Sequence, residues 1–332
     1  MIENIKIGIS VGDLNGIGLE TIVKAFEKSK IPKNCSIILF GQKKLCDIYL
    51  KKIHSLTQLN LIINVKDAIK SKLNIINAKD NNAILELGKK SILSGLNSYN
   101  SLKLASYYLK NKHIDALVTA PIDKSSIRES IQGFIGHTEF LEQEFNGKSL
   151  MLMVSSNMKI AFVTGHVALL NVSELITKNK ILNTGIQLNY SLQKDFNIQN
   201  PKIAILGLNP HAGEDGVLGD EEIKTIIPAI KEINKSDIIA EGPFPADSFF
   251  VEGNLKKYDG IIAMYHDQGL IPFKSQSFSK GVNFTAGLDV TRTSPVHGTA
   301  YNIAGLNKAN EESLLHAIRQ AVEIDKNRKI SL

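Results

Sequence analysis

The chain alternates between short apolar segments and longer amphipathic segments along almost its whole length. This alternation is typical of an α/β protein with a mainly parallel sheet, because each strand is followed by a helix that returns the chain to the start of the next strand. In residues 92–109, apolar side chains recur three and four positions apart, which predicts a helix. The predicted strands are residues 5–11, 36–40, 59–65, 116–119, 150–154, 160–164, 203–206, 260–264 and 282–285.

The length of 332 residues suits two lobes with a cleft between them, and no linker marks a boundary, so we predict one enzyme module over residues 1–332. Residues 79–82 are polar and predict a surface loop. The net charge of +6 argues only weakly for a nucleic-acid partner and fits a small anionic substrate equally well.

The two cysteines, Cys35 and Cys46, cannot form a disulfide framework or a zinc ribbon, and we expect both to be reduced. The first four residues lack the basic start of a signal peptide, and no apolar run reaches the roughly 18 residues of a membrane span. We therefore expect a cytoplasmic protein that does not contact a membrane.

The placement of the 8 histidines is informative. Three of them, at positions 54, 113 and 316, are expected on the surface, and five lie in loops rich in polar residues and glycine. Among these five, His166, His211 and His266 each follow a predicted strand, so they could converge at the carboxyl edge of the sheet and bind a catalytic metal ion. Their separations of 45 and 55 residues form no local metal motif, so each could instead hydrogen-bond only its own loop.

A second group of residues suits an anion. Residues 136–139 read as a turn that enters a helix, where backbone N–H groups favour phosphate or carboxylate, with His137 beside Thr138 as a possible N-cap. Lys274, Asn283 and Arg292 follow later elements and could hold a phosphate and a polar substituent. Taken singly, a lysine or arginine is more often a solvated surface charge.

Two acidic residues complete the candidate site. Asp247 and Asp267 could orient a ligand histidine, take up a proton or bind a substrate amine, and Asp247 could equally cap a helix. The glycine-rich residues 12–20 lack the third glycine of the dinucleotide fingerprint at its proper spacing. The sequence has no Walker A motif and no nucleophile elbow, which excludes a P-loop NTPase and a serine hydrolase of that type.

Six motifs, in this order, resemble the 4-hydroxythreonine-4-phosphate dehydrogenase family of pyridoxal phosphate biosynthesis. They are TAPIDK at 119–124, GHTEFL at 136–141, GLNPHAGE at 207–214, GPFPAD at 242–247, MYHDQGL at 264–270 and RTSP at 292–295. The resemblance extends from the first predicted strand to about Ala309, nearly the full chain.

This resemblance implies two discontinuous lobes of α/β/α type, similar to the isocitrate and isopropylmalate dehydrogenases, which bind NAD(P) without the usual glycine fingerprint. It implies a homodimer whose active site lies in the interlobe cleft at the dimer interface. The implied ligands of a divalent metal ion (zinc, magnesium or cobalt) are His166, His211 and, from the partner subunit, His266. The implied substrate-binding residues are His137, Thr138, Lys274, Asn283 and Arg292.

The implied reaction is oxidation of 4-phosphooxy-L-threonine by NAD or NADP to 2-amino-3-oxo-4-phosphooxybutanoate, which loses CO2 to give 3-amino-2-oxopropyl phosphate. Asp247, Asp267 and Lys274 are the candidate catalytic residues. A related dehydrogenase acting on D-threonate or D-erythronate 4-phosphate is the alternative. A metal-dependent hydrolase, an acyl-phosphate transferase and a metabolite-binding protein without activity are the competing classes.

The chain departs from the family pattern at three positions. Leu14 and Leu19 stand where the family usually has proline, so the first loop is expected to be less rigid. Val296 stands where an aspartate is common, and the loss of a carboxylate there could change the cofactor or the substrate.

Overall fold

The computed structural model describes residues 4–28 and 31–330, and it confirms the predicted α/β class. The first three residues, on which the argument against a signal peptide partly rests, lie outside the described residues. The strands are β1 (Ile5–Ser10), β2 (Cys35–Gly41), β3 (Leu59–Leu61), β4 (Leu73–Asn77), β5 (Ala116–Thr119), β6 (Gly147–Val154), β7 (Lys159–Phe162), β8 (Lys202–Leu206), β9 (Ile239–Phe244), β10 (Gly260–Ala263), β11 (Val282–Leu288) and β12 (Thr291–Pro295).

The α-helices follow the same alternation. They are α1 (Gly18–Glu27), α2 (Lys43–Lys52), α3 (Ile92–Lys110), α4 (Lys124–Arg128), α5 (His137–Glu144), α6 (Val172–Leu175), α7 (Lys178–Lys194), α8 (Ile227–Asn234), α9 (Ala246–Phe249), α10 (Glu252–Leu255), α11 (His266–Ser277) and α12 (Glu312–Ile330). None of these helices combines the length and the apolar character needed to cross a membrane.

The chain divides into two compact units, and both are discontinuous in sequence. Unit 1 comprises Met1–Ser149 and Leu288–Asp325. Its strands follow the order β3-β4-β2-β1-β5-β12, and every neighbouring pair is parallel. One face of this sheet packs against α3 in a core that includes Ile38, Leu102 and Leu117. The carboxyl ends of β1, β5 and β12 therefore lie side by side at one edge.

Unit 2 comprises Leu150–Gly287 and Lys326–Leu332. Its strands follow the order β11-β6-β7-β10-β8-β9. The strands β7, β10, β8 and β9 are parallel to one another, and β6 runs antiparallel to β7. The carboxyl ends of β7, β10 and β8 are thus direct neighbours.

Most predicted strands and the helix predicted over residues 92–109 are present, and residues 79–82 form the predicted loop. The strand predicted over 59–65 is too long: β3 stops at Leu61, Ile63 is 82% exposed, and Val65–Asp67 form a 3-10 helix. Three strands, β4, β9 and β12, were not predicted. Their sequences are interrupted by asparagine, by glycine and proline, or by hydroxyl and charged residues, so they lack an apolar run.

Candidate functional site

The three loop histidines follow the ends of strands, as their sequence context predicts. His166 follows β7, His211 follows β8 and His266 begins α11 directly after β10. These three strands are parallel neighbours in the order β7-β10-β8. All three side chains therefore come from loops at one edge of the unit 2 sheet, which is where open α/β sheets bind ligands.

Two of the three imidazoles have the spacing of a shared metal site. The ring centroids of His166 and His266 are 5.3 Å apart. Metal–nitrogen bonds of about 2 Å place two imidazoles on one tetrahedral ion with centroids roughly 5 Å apart. His266 Nδ1 lies 2.7 Å from Asp267 Oδ1, which leaves Nε2 of His266 available for a ligand. This donor set fits a divalent metal ion.

His211 is not brought into the same group. Within residues 4–28 and 31–330, no cluster of three or more histidine, cysteine or acidic side chains has the geometry of a metal site. His211 begins a run of five residues with left-handed backbone angles, ending at Asp215, in which only Gly213 is a glycine. Such angles are costly for other residues, at about 1–2 kcal/mol each. The three-histidine set therefore stays a prediction, with two members adjacent.

Side chains within these loops tie the neighbouring strand ends together. Thr164 Oγ1 donates to the carbonyl of Met264 at 2.8 Å, which links the His166 loop to the His266 loop. The Gln268 amide accepts from Met264 N–H and donates to the Gly207 carbonyl, both at 2.7 Å. Gln268 thus joins the His266 loop to the His211 loop.

Glu222 anchors the start of the His211 loop. This carboxylate is 2% exposed, and its Oε1 accepts hydrogen bonds from the backbone N–H groups of Leu208 and Asn209, both at 2.7 Å. Its Oε2 accepts from Asn209 Nδ2 at 2.9 Å. A Cβ added at Gly207 or Gly213 would meet the same carboxylate at 3.1 and 2.7 Å. The loop therefore wraps closely around a buried negative charge.

The other unit 2 candidates are more dispersed. Lys274 is exposed on α11, eight residues after His266, and Asn283 is partly buried on β11. Asp247 is exposed in the first turn of α9. Pro245 occupies the N-cap position without a side-chain hydrogen bond, so the alternative that Asp247 caps this helix is wrong. Their roles at the site stay predictions.

In unit 1, the predicted turn does enter a helix, but Thr138 is not its N-cap. Gly136 holds that position and α5 begins at His137, because a residue without a side chain fits the narrow space between Lys124 and Glu139. His137 Nε2 is buried and has no hydrogen-bond partner. Burial, together with the positive charges of Arg292 and Lys124, holds the pKa of His137 well below its ordinary value. His137 is therefore neutral at pH 7.

Arg292 is a buried cation on β12. It is 2% exposed, and its guanidinium donates to Thr119 Oγ1 at the end of β5. Burial lowers the pKa of Arg292 to about 9, while the Glu139 carboxylate acts in the opposite direction. Arg292 therefore remains charged at pH 7. It acts on His137, whose Nε2 has no hydrogen-bond partner among the described residues.

The sequence reasoning missed a polar network at the end of β1. The buried Asp13 carboxylate accepts hydrogen bonds from Ser94 Oγ at 2.5 Å, from Tyr301 Oη at 2.7 Å and from Asn15 N–H at 2.8 Å. The glycine-rich loop that contains Asp13 was the available signal. Leu14 and Leu19 are 2% and 0% exposed, so the residues that replace the usual prolines pack in the core.

A family model described as "Pyridoxal phosphate biosynthetic protein PdxA" matches residues 33–321. The chain belongs to the PdxA family. It is 41% identical to a 4-hydroxythreonine-4-phosphate dehydrogenase of Bacteroides thetaiotaomicron, over 99% of this chain and 91% of that protein.

Two further comparisons agree with PdxA membership. Clostridium botulinum proteins provisionally named D-threonate 4-phosphate dehydrogenase are 36% identical over 94% of both chains. The crystal structure of a 4-hydroxythreonine-4-phosphate dehydrogenase from Klebsiella pneumoniae has a TM-score of 0.84 at 28% identity, covering 97% of this chain and 100% of that chain. The fold described above is thus a PdxA fold over nearly the full chain.

Proposed function

We propose that this PdxA-family chain oxidises the secondary alcohol of 4-phosphooxy-L-threonine with NAD or NADP as the hydride acceptor. The observation that carries the proposal is the pair His166 and His266, 5.3 Å apart at the carboxyl edge of the unit 2 sheet. The product, 2-amino-3-oxo-4-phosphooxybutanoate, loses CO2 to give 3-amino-2-oxopropyl phosphate. The reaction belongs to pyridoxal phosphate biosynthesis.

The chemistry needs a group that acidifies the alcohol and then polarises the ketone. A divalent cation (zinc, magnesium or cobalt) held by His166, His266 and His211 would supply this Lewis acidity. Asp267 fixes the ring of His266 through Nδ1, so that Nε2 stays available. We propose that Asp247 and Lys274 take part in removing the proton from the hydroxyl and in orienting the polar groups of the substrate.

We assign the phosphate of the substrate to the residues around the start of α5 in unit 1, namely His137, Thr138 and Arg292, which we call the phosphate cluster. Arg292 supplies a fixed positive charge, and His137 Nε2 has no hydrogen-bond partner in the described part of the chain. The first N–H groups of α5, including that of Thr138, have no carbonyl partner within their own helix and can also donate to an anion. Asn283 is assigned to a polar substituent of the substrate. Positioning residues of this kind align the reacting carbon of a substrate with the nicotinamide.

We further propose that the active protein is a cytoplasmic homodimer with its active site at the subunit interface. The resemblance implies that His266 comes from the partner subunit, but His266 lies 5.3 Å from His166 of its own chain, and the metal site is proposed there. Exposed apolar side chains directly follow the histidine loops, and such surfaces are typical of protein contacts. They are Val167, Leu169, Leu170, Val217, Leu218 and Ile271, with exposed fractions between 40% and 92%. Sedimentation equilibrium of the purified protein tests the dimer, which a monomer at micromolar concentration would refute.

The activity is tested by incubating the purified protein with 4-phosphooxy-L-threonine, a divalent metal salt and either NAD+ or NADP+. A rise in absorbance at the wavelength of the reduced nicotinamide is expected, together with release of CO2. Parallel assays with D-threonate and D-erythronate 4-phosphate test the alternative substrates. Absence of cofactor reduction with every substrate, or phosphate release without reduction, would refute the dehydrogenase proposal.

A further inference from the structure

Lys124 is a cation that the sequence reasoning did not select. It is the first residue of α4, which follows β5 closely, and its side chain is exposed. The adjacent Asp123 is already engaged, because its Oδ2 lies 2.9 Å from Lys90 Nζ and its Oδ1 accepts from Ser126 N–H. In the part of the chain that the structure describes, the Lys124 ammonium has no carboxylate within salt-bridge distance.

The ammonium of Lys124 points toward the start of α5. A Cβ placed on Gly136 would lie 3.0 Å from Lys124 Nζ and 3.0 Å from Lys124 Cε. The same Cβ would lie 3.0 Å from Glu139 Oε2. The absence of a side chain at Gly136 is therefore what leaves room for this lysine at the helix N-terminus.

Lys124 also acts on the residues of the phosphate cluster. Its positive charge is one of the causes that keep His137 neutral, alongside burial and Arg292. Nε2 of His137 is buried without a partner, which is an unfavourable state that a ligand oxygen would relieve. Two cations and an unsatisfied nitrogen thus surround one helix N-terminus.

The local charge matches a phosphate monoester only if Lys124 is included. With Lys124 and Arg292 positive, Glu139 negative and about +0.5 from the helix N-terminus, the cluster carries about +1.5 charges. A phosphate monoester carries about −1.5 to −2 charges at pH 7. Without Lys124 the cluster would carry only about +0.5, which leaves most of the ligand charge uncompensated.

We propose that Lys124 is a further phosphate-binding residue, whose ammonium pairs with the phosphate oxygens of the substrate beside Arg292 and His137. This inference rests on the proposed function, because it concerns the same substrate. It assigns Lys124 to binding and not to the hydride or proton steps.

The first test compares Lys124→Met with wild type and with Lys103→Met, which removes an exposed lysine from α3 in the same unit. Lys124→Met is expected to raise KM for 4-phosphooxy-L-threonine at least about tenfold while kcat changes less than about threefold. Lys124→Arg is expected to restore much of the lost affinity, since charge is retained. Lys103→Met should match wild type. Unchanged KM in Lys124→Met would overturn the proposal.

A second measurement is independent of turnover. Isothermal titration of the protein with inorganic phosphate is expected to show binding that weakens in Lys124→Met and persists in Lys103→Met. If wild type binds phosphate through Lys124 yet oxidises no substrate, the assignment of Lys124 stands and the proposed function fails. Equal phosphate affinity in wild type and Lys124→Met refutes the assignment whatever the activity.

A double-mutant cycle then separates this role from a general effect on α5. Gly136 has φ 174°, an extended conformation open to any residue, so Gly136→Ala acts by displacing the two side chains that its Cβ would meet at 3.0 Å, those of Lys124 and Glu139. Gly136→Ala is expected to raise KM in wild type and to add little in a Lys124→Ala background. Full additivity of the two changes would contradict the proposed contact.

Discussion

Replacing Glu222 by glutamine is expected to release the loop that carries His211. The carboxylate accepts two backbone N–H groups at 2.7 Å and one side-chain N–H at 2.9 Å. Glutamine has nearly the same shape but only one acceptor oxygen. If that oxygen keeps the two backbone donors, the new NH2 group faces Asn209 Nδ2, and two donors are left opposite each other.

The size of the effect follows from these contacts. A hydrogen bond to a charged group contributes about 1.5–3 kcal/mol, and a buried donor left unsatisfied costs a further 1–3 kcal/mol or so. Glu221 Oε2 also accepts from Asn209 Nδ2, at 2.7 Å, which offsets part of this loss. We therefore expect Glu222→Gln to lower the free energy of unfolding by about 2–3 kcal/mol and the Tm of this 332-residue chain by roughly 3–4 °C.

The assay is urea and thermal denaturation at pH 7, combined with hydrogen exchange of residues 207–219. Because this loop contains four non-glycine residues in the left-handed region, loss of its anchor is expected to speed exchange there before it affects β1 or β5. Glu221→Gln is the matched control, since Glu221 is partly exposed and its loss is expected to cost less than about 1 kcal/mol. Equal Tm values and equal exchange in Glu222→Gln and wild type would refute the anchoring role.

Three further changes are predicted. His211→Ala is expected to reduce bound divalent metal and turnover strongly while the Tm stays near that of wild type, and wild-type metal content would exclude His211 as a ligand. Asp267→Asn removes the carboxylate partner of His266 Nδ1 and is expected to weaken metal affinity about 10- to 100-fold, measured by competition with a chelating dye. Because the pKa of His137 is lowered in the folded state, its contribution to stability is complete above its ordinary pKa of about 6.5 and declines by about 1.4 kcal/mol per unit as the pH falls below that value. Urea denaturation between pH 5 and 7 should show a shallower decline in His137→Gln, and identical slopes would contradict the neutral assignment.

The buried strands could be predicted because parallel strands covered on both faces read as continuous apolar runs. β12 could not be predicted, although all five of its residues are buried, because its sequence is threonine, arginine, threonine, serine and proline. Its burial depends on pairing with β5 and on Arg292 bonding to Thr119, which are contacts between distant parts of the chain. Local pattern contains no information about them.

The candidate site also contains residues that could be predicted from the sequence and residues that could not. The histidines could be selected because the order of strand, loop and histidine is local. The residues that hold the histidine loops in place could not be predicted. Glu222 accepts hydrogen bonds from Leu208 and Asn209, and Gln268 donates to Gly207, and these contacts exist only once the sheet has folded. Lys124 ends the TAPIDK motif at 119–124, but this motif does not distinguish it from the other basic residues as a contact of α5. Only its position beside Gly136 does so.

The discontinuity of unit 1 has a consequence for the timing of synthesis. Arg292 is separated by 173 positions from Thr119, its partner at the end of β5. At the usual 5–20 residues per second, a ribosome adds Arg292 roughly 9 to 35 s after Thr119. During that interval β5 is an edge strand with unpaired backbone groups, which is a site where nascent chains can associate wrongly. The phosphate cluster of unit 1 is therefore completed late in translation, after all of residues 150–287 have been synthesised.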